Sequence, residues 1–140
     1  MHYALSYVST AQKDLEPSEV VELLDQTEVR NNKLGIHGLL IYSEGNFFEV
    51  LEGKKDLILE LYESIRQDDR HKNIIPIFEK SINDKPFDPE NGYFLSANTQ
   101  YKKIKIENFR NCIRDLDEST QKVINNILMQ IGKNSPSEEE

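Results

Sequence analysis

The chain reads as a single α+β domain. Three observations lead there: stretches with period-two alternation recur through the first hundred residues, two segments with apolar residues at helical spacing stand between them, and two further helical segments close the chain. At 140 residues one domain is the natural count, and that length buries a core without cross-links. The single cysteine, Cys112, excludes an intramolecular disulfide and fits a reducing, cytoplasmic compartment. No apolar run approaches a membrane span, and Met1–Leu5 has no basic stretch leading into an apolar one, so neither insertion nor export is expected. The formal charge of −8 argues against broad nucleic-acid binding, because phosphates need a basic surface.

Residues 2–9 form a first strand with Tyr3, Leu5 and Tyr7 on one face. Pro17 and Ser18 open a helix, with Glu16 and Glu19 acidic at its start. Val20, Leu24, Thr27 and Asn31 fall in one line along it, and it ends between Asn31 and Gly35. Ile36–Tyr42 is a second strand, Ser43-Glu44-Gly45-Asn46 a hairpin turn and Phe47–Leu51 a third strand, ended by Gly53. A second helix runs over Asp56–Gln67 on a Leu57, Leu61, Ile65 stripe.

Ile74–Phe78 is a fourth strand, extending toward Ser81, and Pro76 makes it irregular or an edge. A Pro86–Pro89 loop leads to a fifth strand, Tyr93–Asn98. Helical stretches follow over Ile106–Leu116 and Glu118–Ile131, and the segment from Gly132 reads as a frayed tail. The first six elements form the ferredoxin-like β-α-β-β-α-β pattern, to which a fifth strand and two C-terminal helices are added. The expected division is a core over residues 1–100, a helical extension over 101–132 packing on the sheet, and a disordered acidic tail over 133–140.

Four stretches resemble a known family. Tyr3–Ser9 resembles its opening strand, with the flavin-side tyrosine at Tyr7. Arg30–Leu40 resembles an asparagine-bearing helix end followed by a "GITGLL"-type strand, which puts the asparagine at Asn31. Gly45–Gly53 resembles "GxFxQxLEG" at every fixed position but one, and Asp68-Asp69-Arg70-His71 matches "DxRH". The family is that of BLUF domains, blue-light sensors that use FAD, and the resemblance, to the short stand-alone type, spans roughly residues 1–100. The departures are specific. The switch glutamine is Glu49, a methionine of the fifth strand falls on Leu95, a tryptophan on Tyr93, and an arginine of the second helix on Ser64.

The resemblance implies a flavin held between the two helices by Tyr7, Arg30, Asn31, Asn32, Glu49, Asp68, Arg70 and His71, with Tyr7, Glu49 and Leu95 as the light switch. FAD is the expected flavin, with FMN, riboflavin or loss of flavin as alternatives. The flat ring asks for apolar walls, which Leu24, Thr27 and Ile65 would supply. Asn31 carries both donor and acceptor for the pyrimidine edge, Arg70 and His71 suit the phosphate end, and Asp68 orients Arg70. In the family, excited flavin takes an electron and then a proton from the tyrosine, and the glutamine ends in a changed orientation or tautomer. Glu49 cannot copy that. An ionised carboxylate only accepts hydrogen bonds and a protonated one donates once, where an amide donates twice.

Each residue also has a plainer reading. Tyr7 suits a core or rim, Asn31 and Asn32 suit helix capping, and Arg70 and His71 suit a solvated helix end. Glu49 shares parity with Phe47 and Leu51 and therefore points inward. His37 stands where the family has threonine and reads as structural. No metal-ligand spacing, phosphate-cradling loop or nucleophile arrangement stands out, so no enzyme activity is expected. Two functions compete. One is a flavin photoreceptor with an altered or impaired photocycle, signalling through a protein partner or its own oligomer. The other is a light-insensitive interaction module, with or without flavin. A small acyl-phosphate hydrolase on the same frame is a weaker third.

Overall fold

The computed structural model describes residues 2–82, 93–99 and 106–133. In chain order the elements are β1 (His2–Ala11), α1 (Pro17–Lys33), β2 (His37–Ser43), β3 (Asn46–Lys54), α2 (Lys55–Gln67), β4 (His71–Ile82), β5 (Phe94–Asn98), a 3₁₀ helix (Ile106–Cys112) and α3 (Glu118–Lys133). One sheet runs β4-β1-β3-β2-β5. Its first four strands pair antiparallel, and β5 joins β2 in parallel. This is the ferredoxin-like arrangement with an added edge strand.

Local chemistry explains the element ends. Pro17 sits at the first helical position of α1, and the Glu19 carboxylate accepts the Glu16 N–H at 2.9 Å. At the other end Gly35 takes φ 73°, the left-handed conformation that stops a helix. Glu44 and Gly45 both have positive φ, 49° and 83°, as a type I′ hairpin turn demands. Pro76 lies on the edge strand beside a bulge: Ser6 pairs with Phe78 and Tyr7 with Pro76, which leaves Ile77 as the extra residue.

Two cores lie on opposite faces of the sheet. Under α1 and α2, Val20, Leu24 and Ile58 pack on Leu5, Leu40, Leu51 and Phe94. Under the C-terminal helices, Phe109, Ile113, Ile124 and Leu128 pack on Ala4, Leu39, Ile41 and Val50. On this second face His2 Nε2 and Glu52 Oε2 lie 2.5 Å apart, both buried.

Several boundaries differ from the sequence expectation. Gly53 does not end β3, which runs on to Lys54; without a side chain it lets Ile58 of α2 pack close to the strand. The stretch expected as a helix over Ile106–Leu116 is a 3₁₀ helix that stops at Cys112. Phe109 and Cys112, three apart, are both buried, which suits a period of three residues. Gly132 and Lys133 belong to α3 rather than to a frayed tail. The Pro86–Pro89 loop and the remainder of the acidic tail lie outside the described residues.

Candidate functional site

Tyr7 on β1 and Leu40 on β2 both stand opposite Glu49 on β3 in the strand register, so the three side chains share the helix-covered face. They form the floor of a cleft. Leu23, Thr27 and Arg30 of α1 make one wall; Ile65 at the end of α2, with Asp68, Arg70, His71 and Phe47, makes the other. The cleft holds about 460 Å³ of free space counted out to its open mouth.

At the floor the Tyr7 hydroxyl donates to Glu49 Oε1 at 2.5 Å, and the two residues are only 3% and 2% exposed. Burial pushes the Glu49 carboxyl up to about 7, opposed by the Tyr7 hydrogen bond and the positive charge of Arg30. Burial also raises the Tyr7 phenol well above its ordinary range, and the Glu49 carboxylate raises it further. The Tyr62 ring lies 5.9 Å from that of Tyr7.

Buried polar atoms with no hydrogen-bond partner among the described residues include Glu49 Oε2, in the floor of the cleft, and Asn31 Nδ2, which belongs to the residue after Arg30 and is not among the cleft-lining residues. Asn31 is fully buried, and its Oδ1 accepts from Arg30 Nε at 3.1 Å. A buried polar atom left without a partner is costly and points to something that completes it. An amide N–H and a carboxyl oxygen fit the edge of a heterocycle that alternates acceptors and donors, and the apolar walls fit its faces. The residues present therefore suit a planar, flavin-like ring.

The remaining expected site residues divide. Asp68 and Arg70 form a two-point ion pair, with Arg70 Nε to Asp68 Oδ1 at 2.9 Å and Nη2 to Oδ2 at 2.6 Å. Those bonds lower the Asp68 carboxyl and raise the Arg70 guanidinium. His71 is held at both nitrogens: Nε2 donates to the Ile65 carbonyl at 2.6 Å, and Nδ1 meets the Ser9 hydroxyl at 2.8 Å. A carbonyl only accepts, so the proton sits on Nε2, and His71 is a structural post of the wall.

The structure does not bring every expected residue to the cleft. Asn32 turns to β5, where it bonds the Phe94 backbone. Leu95 packs on the far face of the sheet with the C-terminal helices. The strand phase puts Phe94 and Ser96 on the helix side instead. Leu24 is core rather than wall, and Leu23 lines the cleft in its place. Sequence reasoning also missed Leu40 as part of the floor, although its strand partner is Glu49.

Among the described residues no group of three His, Cys, Asp or Glu side chains is placed to hold a metal, and no helix is long and apolar enough to cross a membrane. Residues 2–91 match the family described as sensors of blue-light using FAD. The beta subunit of a photoactivated adenylate cyclase from Euglena longa is 33% identical over 86 residues, which is 61% of this chain and 10% of that protein. The chain thus spans about a tenth of the length of such curated relatives. BlsA in its photo-activated state superposes with TM-score 0.62 at 25% identity, covering 92% of this chain and 95% of that one. BlrB, a BLUF protein in its dark state, gives TM-score 0.58 at 24% identity, covering 94% and 96%.

Proposed function

Since this chain belongs to the BLUF family, sensors of blue-light using FAD, we propose that its cleft binds a flavin and responds to blue light through a carboxyl group in place of an amide switch. One observation carries the reading: Tyr7 donates to Glu49 Oε1 while Glu49 Oε2 and Asn31 Nδ2, both buried, lack partners among the described residues. Asn31 and Glu49 would hold the ring edge, Leu23, Thr27 and Ile65 its faces, and Arg30 the polar rim. The Asp68–Arg70 pair would stand at the mouth, near the tail of the cofactor.

A bound flavin supplies blue-light absorption and, once excited, a strong electron acceptor. The protein supplies the proton path. Neutral Glu49 carries its proton on Oε2, since Oε1 already accepts from Tyr7. When Tyr7 gives an electron to a bound, excited flavin, its hydroxyl proton would pass to Oε1 while the proton on Oε2 would follow the electron to the same acceptor, so that charge and protons balance. The carboxyl ends with its proton on the other oxygen, and no rotation of an amide is needed. An ionised Glu49 can take the Tyr7 proton but offers no donor at Oε2. The response therefore weakens as pH rises through about 7. FAD is the flavin expected first. Output passes to a protein partner or to a second copy of the chain, and the cyclase activity of the Euglena relative remains that protein's own.

The test is optical. Purified protein incubated with FAD should turn yellow and show a reversible spectral shift under blue light that fades above pH 7. Glu49→Gln should enlarge the shift and remove its pH dependence. Protein that stays colourless and cannot be loaded with FAD, FMN or riboflavin would leave the light-insensitive interaction module. Protein that binds flavin but responds identically with Glu49→Gln would refute the role given to Glu49.

A further inference from the structure

β5 is held in an unusual way. Among the described residues it is the last strand of the sheet, five residues long, and pairs only with β2. Its other side carries backbone groups that an edge strand normally leaves open. Here side chains of α1 take them. The Asn32 amide accepts the Phe94 N–H at 2.8 Å and donates to the Phe94 carbonyl at 3.0 Å, as a neighbouring strand would. One turn earlier on α1, Glu28 Oε1 accepts the Ser96 N–H at 2.7 Å and the Ser96 hydroxyl at 3.2 Å. Asn32 also donates to the Glu28 carbonyl at 3.0 Å, which ties the two holding residues together.

The same stretch of helix serves the cleft. Arg30 lines it, and Asn31, next in the chain, carries a buried Nδ2 that has no hydrogen-bond partner among the described residues. Asn32 follows at once, and its carbonyl accepts the Gly35 N–H that closes the helix. An α-helix is stiff over one turn, so a ligand that draws in Asn31 or displaces Arg30 shifts the frame from which Asn32 and Glu28 grip β5.

We propose that Asn32 and Glu28 form a latch that positions β5 according to what occupies the cleft. They are positioning residues, since neither lines the cleft. The inference rests on the flavin reading of the cleft and names how its occupancy would reach the sheet edge without passing through Glu49.

Residue-resolved amide exchange tests it on the whole chain, with and without FAD. In the wild type, FAD should change exchange at Phe94 and Ser96 by about tenfold, the factor that one hydrogen bond of ordinary net strength supplies. Val50, in the middle of the sheet, should not respond. Asn32→Ala should abolish the FAD dependence at Phe94 while the protein still turns yellow. Glu28→Gln, which keeps an acceptor, should preserve the dependence at Ser96, and Glu28→Ala should remove it. A purely structural latch would raise exchange equally in both states and leave the FAD dependence intact, which would overturn the proposal. Where Asn32→Ala does not fold, Asn32→Asp keeps the acceptor for the Phe94 N–H but sets a carboxylate oxygen against the Phe94 and Glu28 carbonyls, so the FAD dependence at Phe94 should shrink, and an unchanged dependence overturns the proposal. If no flavin binds, the flavin reading fails by itself, and Arg30→Ala in the unliganded protein then perturbs the cleft directly. A changed exchange rate at Phe94 in that variant supports the latch, and an unchanged one overturns it.

Discussion

Glu49 is buried beside a phenol, and no cation lies within ion-pair distance of it among the described residues. Ionising it in place is therefore costly. Its carboxyl sits near 7 in the folded chain against 4.5 ordinarily, so the folded state binds the proton more tightly. Stability from this group is fully present below pH 4.5 and gone above about pH 7. At about 1.4 kcal/mol per pH unit, the loss is on the order of 3 kcal/mol. Glu49→Gln removes the cost and keeps an acceptor for Tyr7. Urea titrations should find the variant level with the wild type at pH 4 and more stable by about 2–3 kcal/mol at pH 8. A stability difference that does not grow with pH would mean that Glu49 ionises freely. The inward aim of Tyr7 and Glu49 follows from strand parity alone. Leu95 could not be aimed that way. Its phase must be counted across the segment before β5, and a slip of one residue turns a strand side chain to the other face.

Gly38 shows how tightly an element can depend on one position. It has φ +143°, and a Cβ there would lie 1.9 Å from the Val50 carbonyl oxygen on β3. The clash is with paired backbone, so no side-chain rotation relieves it. Gly38→Ala should destabilise the fold by roughly 2–4 kcal/mol or more, read as a lowered urea midpoint, and wild-type stability would show that β2 can shift its pairing. The helical stripes located α1 and α2 to within a residue or two of their ends, because 3.6-residue periodicity is written directly in the chain. The stretch expected as one helix over Ile106–Leu116 has buried Phe109, Cys112, Ile113 and Leu116, a spacing that satisfies both periods over so short a run, and the 3₁₀ helix covers only its first part, to Cys112. Asn32 looked like a cleft residue or a cap. Besides the local Glu28 carbonyl it bonds the Phe94 backbone, 62 positions away, and no local pattern marks that second bond.

The sheet divides the molecule into two cores that share its strands. Leu128 of α3 is fully buried against the face opposite the cleft. Leu128→Ala should cost about 2–5 kcal/mol in global stability, as large-to-small changes in packed cores do. It should leave the pH dependence assigned to Glu49 unchanged, since the sheet lies between them. A shifted Glu49 titration in that variant would show that the two faces are coupled. A loss of less than 1 kcal/mol would show that α3 is only loosely attached.

Element order, the inward faces of Tyr7 on β1 and Glu49 on β3, and the apolar stripes of α1, α2 and α3 were all present in the linear pattern. Each depends on spacings of two to four residues, which covalent geometry fixes. The tertiary structure alone decided that Asn31 Nδ2 is buried without a partner among the described residues, that Asn32 and Glu28 reach β5, that Leu95 faces away and that the Glu49 carboxyl is held near 7. Those properties arise where segments far apart in the chain meet, and burial and distance between them are set by how the layers pack rather than by any local repeat.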